Sequence, residues 1–164
     1  RSLGADVPFF LEGGAALYTG RGDVLERRLR PLDAPIVLVK PPLPVSTAAA
    51  YIAFDRRPVP MGPYPAPLLD ALSAADVDGV AAALHNTMTH ASIELVPQVG
   101  EALALVTAAP GVLGAAVAGS GSTVFGICAD AGAATALAGR ARAAGYWSVA
   151  TRSAVHGCVV EGER

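Results

Sequence analysis

The stretch from Val112 to Thr151 constrains the fold more than any other part of the chain. Val112 to Ala118 reads as a strand. Gly119-Ser120-Gly121-Ser122 is a tight turn, and Thr123 to Cys128 reads as a second strand. Asp130 can cap a helix running to about Ala144, with Ala133, Leu137, Ala141 and Ala144 on one face. Gly145 is well placed to end that helix, and Tyr146 to Thr151 reads as a last strand. A strand, turn, strand, helix, strand order buries its apolar faces as a sheet with helices layered on it.

The preceding segments fit that plan. Pro35-Ile36-Val37-Leu38-Val39 reads as a buried strand that Pro41-Pro42 ends, because proline cannot donate to a sheet ladder. Ser46-Thr47 offers a hydroxyl cap for a helix opening with Ala48-Ala49-Ala50-Tyr51. Arg57 to Pro67 holds five prolines and one glycine and reads as a loop. Ser73 and Asp76 have capping-box spacing before a helix whose buried face is Val77, Val80, Ala81 and Leu84. A further helix starts near Pro97, with Val99, Leu103 and Val106 inward, and Pro110-Gly111 stops it. Residues 1–30 read as strands and turns around Gly13-Gly14 and Gly20-Arg21-Gly22. From residue 76 the order is helix, helix, strand, strand, helix, strand. The simplest fold is α+β, a ferredoxin-like sheet with helices on one face.

Composition narrows the partners. Hydrophobic residues make up 52% of the 164 and charged residues 16%, so the chain can bury a core and disorder is not expected. The formal net charge is -2 and the basic run Arg27-Arg28-Leu29-Arg30 is short, which indicates neither a nucleic-acid nor a membrane surface. The apolar stretch Ala102 to Ala118 is broken by Pro110-Gly111, unlike a membrane span. Cys128 and Cys158 lack CxxC spacing, and no signal peptide opens the sequence. The expected compartment is reducing and cytoplasmic.

A few residues could carry chemistry. Asp6, in Leu3-Gly4-Ala5-Asp6-Val7-Pro8-Phe9-Phe10, is either a turn aspartate or a catalytic base. The Gly119 to Thr123 segment, with hydroxyls at Ser120, Ser122 and Thr123, is either a plain hairpin turn or a loop whose amides approach phosphates. It is no Walker A motif, since no Gly-Lys-Ser/Thr follows. Tyr51 is either a half-buried core residue or a platform for a base. His85, His90 and His156 lack ligand spacing, so no metal site is expected from them.

Taken together, these segments resemble the GHMP kinases, and within them the branch that acts on 4-diphosphocytidyl-2-C-methyl-D-erythritol. The resemblance rests on Gly4-Ala5-Asp6-Val7-Pro8-Phe9-Phe10, Gly13-Gly14-Ala15-Ala16, Gly20-Arg21-Gly22-Asp23, Val45-Ser46-Thr47-Ala48 with Tyr51, and Leu113 to Gly126. The last of these resembles the third motif of the superfamily. The resemblance implies an ATP- and Mg2+-dependent kinase of non-mevalonate isoprenoid biosynthesis that phosphorylates the 2-hydroxyl of that substrate. It implies that Asp6 is the catalytic aspartate, that Tyr51 and Thr47 contact substrate, and that Gly119, Ser120, Gly121, Ser122 and Thr123 line the phosphate cleft. It further implies a fragment: residues 1–33 a remnant of the ATP-binding N-terminal domain, residues 34–160 the C-terminal domain. The family's N-terminal lysine and ATP loop have no counterpart here, and Asn86-Thr87 stands where Asn-Asp is usual. Two other readings are a stand-alone ferredoxin-like ligand-binding or dimerisation module, and a GHMP kinase for another alcohol.

Overall fold

The computed structural model describes residues 7–57 and 65–157. Asp6 and Cys158 lie outside the described residues, as does most of the proline-rich loop expected after Arg57.

The described residues open with helix α1 (Val7–Glu12), where strands and turns were expected. Pro8 is compatible with it, because a first-turn residue has no intrahelical partner for its N–H. Gly13, at φ 69°, ends the helix with its N–H on Phe9 O at 2.7 Å. An antiparallel hairpin follows, β1 (Ala15–Thr19) and β2 (Val24–Leu29), forming a two-stranded sheet of its own. Arg28 grips Glu12 through two bonds of 2.8 and 2.9 Å. Both side chains are exposed, so the pair adds little stability.

The remaining strands are β3 (Pro35–Lys40), β4 (Val112–Val117), β5 (Val124–Cys128) and β6 (Trp147–Arg152). They form one antiparallel sheet in the order β4-β5-β3-β6. Each crossover, β3 to β4 and β5 to β6, joins parallel strands with one strand between them. That is the ferredoxin-like split β-α-β arrangement expected from the sequence.

Among the described residues, five helices lie in the first crossover: α2 (Thr47–Arg56), α3 (Ala66–Ala74), α4 (Val77–Ala82), α5 (Thr89–Leu95) and α6 (Gln98–Thr107). The second holds α7 (Ala131–Ala143). Helices α6 and α7 cover one face of the sheet. Val99, Ala102 and Val106 of α6 and Leu137, Ala138 and Ala141 of α7 pack on Val37, Val39, Val124 and Cys128. The buried stripe of α7 runs through Ala134 and Ala138 rather than Ala133 and Ala144. Its abundant alanines make several faces equally apolar, so the sequence pattern alone did not select one. Part of the opposite face is covered too: Val80 and Ala81 of α4 and Ala71 of α3 pack on Ile127.

Caps explain several boundaries. Ser46 accepts from Ala49 N, and Asp130 accepts from Ala133 N at 2.8 Å, both as expected. The Ser73–Asp76 reading is corrected. Ser73 lies inside α3 and donates to Leu69 O at 2.8 Å, while Ala75 in the left-handed region ends that helix. Asp76 alone caps α4, accepting from Gly79 N at 3.0 Å.

Two outcomes check this packing. Asp76→Ala should cost about 1 kcal/mol, and Ser73→Ala no more than about 0.5 kcal/mol. Denaturant unfolding that gave the opposite ranking would return the cap to Ser73. Gly114 lies against α4, and a Cβ there would run into the Ala81 carbonyl. Gly114→Ala should therefore cost about 1–3 kcal/mol and lower Tm by roughly 2–12 °C in a chain of this size. An unchanged Tm would show that α4 is not seated on β4.

Candidate functional site

The site begins with strand register. Val39 of β3 pairs with Val124 of β5, so the end of β3 lies beside the start of β5. The chain leaving β3 turns through Pro41-Pro42 and enters α2 at Thr47. The chain entering β5 is the Gly119 to Thr123 loop. Pairing thus brings the two candidate segments together across 73 residues, and Thr47 Oγ1 meets Ser120 Oγ at 2.9 Å. Tyr51 lies one turn beyond Thr47 on the same helical face. It is 57% exposed, which rules out the core reading and leaves its ring free to stack.

The loop needs its glycines. Gly119 and Gly121 have φ of 55° and 86°, where a side chain is strained. A Cβ on Gly121 would also crowd Ser92 Oγ at 3.1 Å. Ala118 N donates to Thr123 O at 2.8 Å and Gly121 N to Ala118 O at 3.0 Å. Ser122 is 3% exposed and its hydroxyl has no partner among the described residues.

Two side chains that sequence reasoning did not place hold this loop from behind. Asn86 Nδ2 donates to Val117 O at 2.7 Å and to Gly119 O at 2.8 Å, while its Oδ1 accepts from Met88 N at 2.8 Å. Ser92, fully buried on α5, has its hydroxyl 2.9 Å from Ser120 O and 3.0 Å from Met88 O. The sequence hinted at Asn86 alone, through the Asn86-Thr87 pair that stands where the resembled family has Asn-Asp, and it gave no signal for Ser92.

Other candidates fall away from this centre. His90 sits between the Thr87 and Arg57 carbonyl oxygens, at 3.0 and 3.2 Å, against the Phe54 ring. It joins α5 to the end of α2. Among the described residues no three His, Cys, Asp or Glu side chains gather as a metal site. Burial, and then the Asp130 charge, raise the Cys128 thiol above its ordinary range. It is a packed core residue, not a nucleophile. A cavity of about 790 Å³ between α3 and α4, lined by Leu68, Asp70, Leu84 and His85 among others, takes in none of the loop residues. No helix among the described residues is long and apolar enough to cross a membrane.

Known proteins resemble this chain in sequence and fold. Residues 68–146 match the family model described as GHMP kinases C terminal. The 4-diphosphocytidyl-2-C-methyl-D-erythritol kinase of Pelotomaculum thermopropionicum is 40% identical over 151 residues, covering 92% of this chain and 52% of that protein. The enzyme of that name from Cereibacter sphaeroides is 41% identical over 155 residues, covering 93% and 55%. A crystal structure of 4-(cytidine 5'-diphospho)-2C-methyl-D-erythritol kinase aligns with a TM-score of 0.75 at 32% identity, over 96% of this chain and 56% of that one. A homoserine kinase from Cytophaga hutchinsonii aligns with a TM-score of 0.63 at 21% identity, over 92% and 51%, a likeness of fold alone. The chain spans about half the length of the curated relatives it matches. Its sequence, its split β-α-β sheet and the loop between β4 and β5 agree in one assignment: the chain belongs to the GHMP kinases and carries the C-terminal domain of that family.

Proposed function

We propose that this chain forms the substrate-side half of a kinase that phosphorylates the 2-hydroxyl of 4-diphosphocytidyl-2-C-methyl-D-erythritol, a step of non-mevalonate isoprenoid biosynthesis. The observation that carries the reading is the contact of Thr47 with Ser120, which joins the helix bearing exposed Tyr51 to the glycine-serine loop. Relatives about 40% identical over most of the chain, which bear the name of that kinase, support it.

In this reading residues 34–160 are the C-terminal domain and residues 1–33 belong with an N-terminal, ATP-binding one. Tyr51 stacks on the cytosine ring and Thr47 fixes the edge of the substrate. The Gly119 to Thr123 loop lines the phosphate side of the cleft. Asp6 orients the 2-hydroxyl and accepts its proton as the oxygen forms its bond to phosphorus, while the bond from that phosphorus to the leaving ADP oxygen breaks. ATP, when bound, supplies the phosphoryl group. The family implies Mg2+ as well, but the described residues assemble no cluster that fits it. Such chemistry needs positioning and charge stabilisation more than covalent help, and this chain holds part of both.

Calorimetric titration of the cytidyl substrate into the chain tests the stacking role. Tyr51→Ala should weaken binding roughly 5- to 150-fold, the usual worth of one base on an aromatic ring. Binding that Tyr51→Ala leaves unchanged would remove Tyr51 from the site, and no binding at all would reject a cytidyl subsite confined to this chain. ATP should bind weakly, and the chain alone should not turn substrate over. Normal turnover by the 164-residue chain would overturn the half-cleft reading.

A further inference from the structure

We infer that Asn86 is a positioning residue that aims the Ser120 amide into the cleft, so that the loop meets its ligand with a donor rather than a carbonyl oxygen. The inference deepens the kinase reading and rests on it for the identity of the ligand. The orientation itself rests on geometry alone.

A trans peptide is planar, with the C=O of one residue and the N–H of the next pointing opposite ways. The only cis bond in the described chain is Gly121-Ser122, so the Gly119-Ser120 peptide is trans. Asn86 Nδ2 holds the Gly119 carbonyl at 2.8 Å, which turns the Ser120 N–H to the side away from Asn86. Among the described residues that N–H has no acceptor. The same amide nitrogen of Asn86 also holds Val117 O at 2.7 Å, so one side chain grips the loop just before and just after Ala118. The Ser92 hydroxyl engages the next carbonyl, that of Ser120. Three carbonyl oxygens in four residues are thereby drawn toward the domain. The Thr47 hydroxyl meets Ser120 Oγ, which sets the ligand side of the loop beside α2.

A plain hairpin turn needs none of this. Its carbonyls can face water, and a half-buried asparagine has no reason to reach over 31 and 33 residues to hold two of them. Turning carbonyls inward and an amide outward suits an anionic ligand, whose oxygens accept and do not donate. A diphosphate or a phosphoryl group in transfer is such a ligand.

Asn86→Asp tests the aim of the amide. It keeps the size of the side chain and the acceptor for Met88 N, but it removes both donors and sets negative charge against two carbonyls. In nitrogen-15 NMR of the chain, the Gly119 and Ser120 amide signals should move while those of Tyr51 and of α7 stay. An unmoved Ser120 signal overturns the inference, and this readout needs no ligand. If Asn86→Asp does not fold, hydrogen exchange of the unaltered chain decides instead. A freely exchanging Ser120 amide supports the inference, and a protected one overturns it. Titration with 4-diphosphocytidyl-2-C-methyl-D-erythritol should show Asn86→Asp binding roughly 10- to 150-fold more weakly, the range for a hydrogen bond to a charged group. The Tyr51→Ala penalty should be the same in both backgrounds, because stacking and amide donation are separate. A merely structural asparagine would change both together. If the unaltered chain binds no cytidyl ligand while Asn86→Asp still moves Ser120, the substrate assignment fails and the positioning inference stands.

Discussion

The pairing of β3 with β5 is the constraint on which the rest depends. Val37 and Val39 lie fully buried in the middle of the sheet, opposite Gly126 and Val124. Their burial on α6 and α7 fixes register, since a slip by one residue would turn these valines to the other face. Register in turn places the candidate site. It sets the exit of β3 beside the entry of β5, and so sets the first turn of α2 against the Gly119 to Thr123 loop. Gly126 contributes by absence of a side chain: a Cβ there would meet Val106 Cγ1 at 2.7 Å. Helix α6 therefore lies close on the sheet, and α5, joined to α6 through Val96 and Pro97, comes within reach of the loop.

The loop is then fastened from three directions. Thr47 comes from α2, Ser92 from α5, and Asn86 from the segment between α4 and α5. Each of these bonds joins residues at least 28 positions apart in sequence. A glycine-rich loop has high conformational entropy, and fixing it costs free energy that local contacts do not return. Long-range side-chain bonds to its carbonyls and to the Ser120 hydroxyl offset that cost within the fold itself. The two faces of the sheet divide the labour. One carries the main core, and the other, through α3 and α4, carries a smaller cluster around Ile127 that the loop does not touch.

Local signals in the sequence were sound where one short segment held all the relevant chemistry. The strand from Pro35, the Ser46 and Asp130 caps, and the stop at Pro110-Gly111 are of that kind. They failed where a second element decides. Ser73 has capping chemistry and capping-box spacing, yet it bonds back to Leu69 O because α3 has already formed around it. Helix α5 has seven residues and little periodicity, and its fully buried Ser92 reaches the loop at Ser120 O. Asn86 stood in a break between helical patterns, and nothing near it in sequence names Val117 or Gly119 as its partners.

What the sequence by itself determined is the set of parts: strands and helices in a split β-α-β order, a glycine-serine turn, a capped helix with a tyrosine one turn in, and motifs that resemble one kinase family. The elements follow from periodicity, caps and turn chemistry, which act over a few residues, and the family from the wording and order of the motifs. What only the tertiary structure decided is which parts meet and how the loop is oriented. Peptide planes turn according to the donors that reach them, and those donors come from residues far along the chain. Asn86 and Ser92 acquire their roles through that meeting, as does the exposure of Tyr51 beside the loop.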